Sequence, residues 1–165
     1  MAAALPDAPD RLLHTAAQAL ADRFGAELDR LFTDHRDVFT ALTAAGYSLP
    51  DELRATAQLA LARRLEADLA AVAAGVDRAA LASARAVVAE AAESGVGLDV
   101  PAVRTAATAA VDGAVNRAVA SRRRGDVSQA VAVVTLGQDV QLTPAAQQKL
   151  ERLYPCAADL ANFTG

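Results

Sequence analysis

The chain reads as an all-α protein, an antiparallel bundle of about six to seven helices, and three observations predict it. Apolar residues recur at three- and four-residue steps through most of its length. Most glycines and prolines fall between those periodic stretches rather than inside them. No pair of alternating, β-branched segments is available to build a sheet.

The helices follow in order. Pro9 and Asp10 open a segment to about Phe24, with Leu12, Leu13, Ala16, Ala17 and Leu20 on one face. Gly25 offers a joint, since one glycine costs a helix only about 1 kcal/mol. Leu28, Leu31, Phe32, His35, Val38, Phe39 and Leu42 then trace a second amphipathic stripe, and Gly46 stands where a terminating glycine belongs. Ser48 with Asp51 predicts a capping pair, with Pro50 in the first turn of the next helix. That helix carries Leu53, Ala57, Leu61, Leu65, Leu69 and Val72 inward and closes at Gly75.

Asp77 caps a fourth, with Leu81, Ala84, Val87, Val88 and Ala91 inward and Gly95 after it. Asp99 and Pro101 start a fifth through Val103, Ala107, Val111, Val115 and Val119 to Arg124, with Gly125 as its stop. Ala130 to Val134 fits a short strand or a helix by pattern. Helix is preferred, because a lone strand leaves its backbone donors unpaired. Thr143-Pro144 begins a last helix through Leu150 and Leu153 to Tyr154. Residues 1–9 are then a flexible start, 10–155 one helical domain, and 156–165 a loose tail.

At 165 residues a single domain is expected. Hydrophobic residues make up 53% of the chain, but much of that is alanine, which buries little area. The core must come from Leu, Val and Phe between closely spaced helices. A net charge of −4 and only two Tyr, four Phe and no Trp argue against nucleic acid as a partner. No apolar run approaches the roughly 18 residues a membrane span requires. The first ten residues, with Asp7 and Asp10, do not make a signal peptide, so a cytoplasmic location is expected.

Candidates for chemistry are few. His35 sits on the apolar stripe between Phe32 and Phe39, with Asp34 and Asp37 beside it, as a metal ligand or an acid–base group would. With His14 the only other histidine and no cysteine near, the spacing does not suit zinc. A boundary histidine explains it more simply. Glu90 and Glu93 share one helix face, where no substrate fits between two carboxylates. Asp51 and Glu52 suit a first helical turn. No serine has a nucleophile-elbow surround, and Cys156 is a lone thiol near the chain end. Arg122, Arg123 and Arg124 form the one basic cluster, either an anion contact or arginines complementing a helix C-terminus. Sugar recognition wants aromatic faces, for which only Tyr47 and Tyr154 could serve with a few Phe, so a sugar-binding module ranks below an accessory or interaction domain. No cofactor, catalytic residue or metal site is expected.

Several stretches together resemble the helical C-terminal region of glycoside hydrolase family 57 type proteins. They are Asp34-His35-Arg36-Asp37-Val38-Phe39, Gly46 to Leu53, the Ala57 to Leu69 helix with Arg63-Arg64-Leu65, Ser94 to Asp99, and Gly137 to Tyr154 with Gln147. The likeness runs from about residue 24 to 154. It implies a non-catalytic accessory domain that packs on, or supports, a catalytic domain acting on α-glucans. Nothing here matches that family's barrel, so no catalytic residue carries over. The expected partner is such a catalytic domain or another protein, with pairing to a second copy of the chain as the alternative.

Overall fold

A computed structural model describes residues 8–75 and 78–139 of the chain. Among them are six α-helices and no strand: α1 (Ala8–Asp34), α2 (Arg36–Ala44), α3 (Asp51–Ala73), α4 (Arg78–Glu93), α5 (Pro101–Ser121) and α6 (Arg124–Asp139). The all-α expectation holds, and Ala130 to Val134 is helical, within α6. The expected Asp77 cap, the 143–154 helix, Cys156, the start before residue 8 and the tail lie outside the described residues.

The centre of the bundle is α3, which packs against α1, α4 and α5, while α6 lies on α5 and touches α4. The faces read as inward on α3, α4 and α5 are buried over most of their length, while Leu53 and Val119, read inward at their ends, are exposed, as are Leu31 and Val38 of the second stripe. Ala57, Leu61, Leu65, Leu69 and Val72 from α3 meet Val87 and Ala91 from α4 and Val103, Ala107 and Val111 from α5. Alanines at Ala60, Ala84, Ala110, Ala114, Ala118 and Ala130 fill the remaining inward positions and let the helix axes approach closely.

Three stops are made as the sequence suggests, and Gly75 is one: it follows α3 with φ 84° and donates to Val72 O. Gly46 follows α2 with φ 76°, donating to Thr43 O, while Tyr47 N–H reaches Leu42 O. Gly95 repeats the arrangement after α4, with Val96 N–H on Ala91 O. All three satisfy terminal carbonyls through a left-handed residue that glycine adopts without a Cβ penalty.

Other boundaries differ from expectation. Gly25 is no joint, because α1 runs through it without interruption. A Cβ there would collide with the guanidinium of Arg63, which lies over the α1 backbone and pairs with Asp22 at 3.6 Å. The glycine leaves room for that guanidinium. The break falls instead at His35, between α1 and α2. In an unbroken helix Phe32 and Phe39 would stand about 10 Å apart along the axis. The bend brings their rings to 5.2 Å between centroids, both buried.

Gly125 does not end α5. That helix stops at Ser121, with Arg122 in the left-handed conformation at φ 51°, and Gly125 lies inside α6. Ser48 and Asp51 form no capping pair either. Pro50 is the N-cap of α3 without a side-chain cap bond, and Arg54 spans the turn by donating to Leu49 O at 2.9 Å. Pro101 does open α5, as expected.

Candidate functional site

The residues singled out for chemistry do not converge. His35 is exposed, not part of the apolar stripe: as the residue between two helices it turns its side chain outward and makes no cap bond. Its backbone carries the bend, with His35 N–H on Phe32 O and His35 O accepting from Val38 and Phe39. Asp34 pairs with Arg30 one turn earlier at 3.7 Å. Asp37 lies in the first turn of α2, where a negative charge suits the helix N-terminus. Tyr47 is exposed beyond Gly46.

Arg122, Arg123 and Arg124 are exposed in the α5–α6 connection. Arg122 is the C-cap of α5 and Arg123 follows it, so these two stand at a helix C-terminus as expected, while Arg124 already begins α6. Ser121 Oγ organises this corner by donating to Asp126 and accepting from Arg123 N–H. Among the described residues no group of three or more His, Cys, Asp or Glu side chains is placed to hold a metal ion. A groove of about 200 Å³ is lined by Val88, Ala91, Ala92, Val96 and Leu98, together with Asp99 and Asp139. None of the candidates above reaches it.

Glu90 corrects another expectation. It is buried, not on an exposed face with Glu93. Its Oε1 meets Arg36 Nε at 3.0 Å and its Oε2 meets Arg64 Nη1 at 3.2 Å. Arg64 also approaches Asp29 at 3.8 Å, and Arg36 approaches Glu93 at 3.8 Å. One carboxylate thus ties α2, α3 and α4 together, with α1 attached through Asp29. Its sequence signal was its phase: Glu90 falls in step with Val87, Ala91 and Ser94, all of them buried. The arrangement is a structural clamp, because both carboxylate oxygens are occupied by arginines and no cleft opens onto them.

The feature that the fold leaves unsatisfied lies on α1. From Arg11 to Phe24 no residue is buried, and Gly25 is the first that is. This part of the helix carries Leu12, Leu13, Leu20 and Phe24 at 71%, 70%, 70% and 62% exposure. Leu13, Ala17, Leu20, Phe24, Glu27 and Leu31 follow alternating steps of four and three, the spacing of a two-helix seam. The seam stands one residue, about 100°, round the helix from Gly25 and Phe32, which face the bundle. Its exposed apolar area is about 500 Å², at the upper end of what a monomer's largest patch shows. The first sequence stripe was therefore legible as a face, but it does not fold onto the others.

No helix of the described residues is long and apolar enough to cross a membrane. No family model, curated protein or solved structure matches the chain. The likeness to the glycoside hydrolase family 57 region rests on the sequence stretches quoted for it alone.

Proposed function

We propose that this chain is a non-catalytic helical docking domain whose working surface is the apolar seam of α1. The single observation that carries the reading is the run from Arg11 to Phe24, helical yet without one buried residue. A helix of that kind gains little from its own bundle, and isolated helices of this length are marginal in water. A partner that covers the seam supplies the missing burial at about 25 cal/mol for each Å² of apolar surface removed from water. The remaining helices supply a rigid base, with Arg63 over Gly25 and Arg64 beside Asp29 holding α1 to α3. The accessory arrangement on a glucan-active catalytic domain is one form of this role, in which the catalytic domain occupies the seam.

The test compares the wild type with a Leu13→Glu, Leu20→Glu, Phe24→Glu variant at sub-micromolar concentration. An environment-sensitive apolar dye should bind the wild type and fail to bind the variant. The thermal midpoints should agree within about 3 °C, as for substitutions at surface positions. A midpoint lowered by more than about 10 °C would mean that the seam is already covered within the chain, and would end the docking reading.

A further inference from the structure

We infer that the occupant of the α1 seam is a second copy of the same chain, paired antiparallel. The inference rests on the docking reading above and names its partner. The antiparallel direction matches the side-chain sizes of the seam best. With the two-fold axis midway between Ala17 and Leu20, Leu13 faces Phe24 of the second copy and Ala17 faces its Leu20. Each layer then sets a small residue against a large one, or an aliphatic side chain against an aromatic ring, as close helix packing requires.

The flanking positions agree. His14 runs beside Ala21 of the second copy and Ala16 beside its Arg23, so each long polar side chain crosses over an alanine. Within the four layers no like charges meet, but the same register carries Asp10 to Glu27 of the second copy just beyond each end. Glu27 falls outside the four layers. A parallel, in-register pair would set Asp10 against Asp10 and Glu27 against Glu27, no better in charge, and would leave a gap where Ala17 meets Ala17. The bundles permit the antiparallel arrangement, since each begins at Gly25, beyond the paired segment, and the two would lie at opposite ends.

The size of the patch fits a modest dimer. About 500 Å² from each copy buries about 1,000 Å² in total, the lower bound for a specific interface. An interface at that bound belongs to the weak, transient class, so dissociation on dilution is expected rather than a permanent dimer.

Sedimentation of the full chain at about 50 µM should show a dimer that dissociates on dilution to sub-micromolar concentration. Leu20→Arg and the milder Leu20→Gln should each raise the dissociation constant at least ~30-fold with unchanged helical circular dichroism. Spin labels at Arg30→Cys, in a Cys156→Ser background, should lie about 35 Å apart, because residue 30 stands ~11.5 residues from the two-fold axis. A separation under ~20 Å would mean parallel pairing and overturn the inference. So would a dimer that survives both Leu20 substitutions, or a monomer at 50 µM. A monomer that still binds dye at the seam removes the second copy as occupant and leaves the docking surface standing. A monomer without dye binding removes both.

Discussion

Two helix-interior glycines, Gly25 and Gly113, are expected to respond in opposite directions to the same substitution. Either one changed to Ala gains about 1 kcal/mol of helix propensity. What opposes that gain differs. At Gly25 the new methyl meets only the guanidinium of Arg63, the far end of a partly exposed side chain that can swing away. Displacing it forfeits the ion pair with Asp22, worth about 0–1 kcal/mol at such exposure. Gly25→Ala should therefore leave stability unchanged or raise it by up to about 1 kcal/mol.

At Gly113 the methyl would stand 2.8 Å from the carbonyl oxygen of Ala73, a backbone atom at the end of α3 that cannot rotate aside. It would also crowd Arg117 Nη1 at 3.2 Å. Arg117 donates from Nη1 to Ala73 O at 2.7 Å and from Nη2 to Val72 O at 2.8 Å, placing a cation on the negative end of α3. Separating α3 from α5 costs about 1–3 kcal/mol in forced repacking. Weakening the charged hydrogen bonds adds about 1.5–3 kcal/mol. Set against the propensity gain, Gly113→Ala should lose about 1.5–5 kcal/mol.

Equilibrium denaturant unfolding followed by helical circular dichroism measures both, in dilute protein so that association does not enter. Gly125→Ala, with open space around its Cβ, serves as the control. In an Arg117→Met background the loss from Gly113→Ala should shrink, since the hydrogen bonds are already gone. A Gly113→Ala variant as stable as wild type would refute the close approach of α5 to the end of α3.

Further outcomes follow from the same geometry. Glu90→Ala strands the half-exposed arginines Arg36 and Arg64, and should cost about 2–3 kcal/mol, or about 5–10 °C in a thermal melt. His35→Ala should stay within about 0.5 kcal/mol of wild type by the same melt, because the side chain is exposed and caps nothing. Arg122→Gly should raise stability by up to about 1 kcal/mol in denaturant unfolding, relieving a side chain at φ 51°. Leu65→Ala, at a fully buried position of α3, should lose about 2–5 kcal/mol by the same measurement.

What the sequence determined by itself is the helical class and the inward faces of α3, α4 and α5. Their Leu, Val and Ala positions recur with the helical period, and α3 lies between neighbours that bury that face. Gly46 and Gly95 were legible as stops because a left-handed terminal residue favours glycine. Gly25 and Gly125 misled for the converse reason: glycine also serves close approach or simply occupies a helix, and one-dimensional pattern does not distinguish these uses.

Tertiary structure alone decided which periodic stripe goes without a cover. The seam of α1 has the same spacing as the core helices, and only the placement of α3 to one side of it leaves Leu13, Leu20 and Phe24 in water. It also decided the charges. Glu90 became buried because Arg36 and Arg64 arrive from two other helices to neutralise it, while His35, in phase with Phe32 and Phe39, turned outward once the chain bent there. Periodicity records which residues share a face; whether that face meets protein or solvent depends on neighbours distant in the chain.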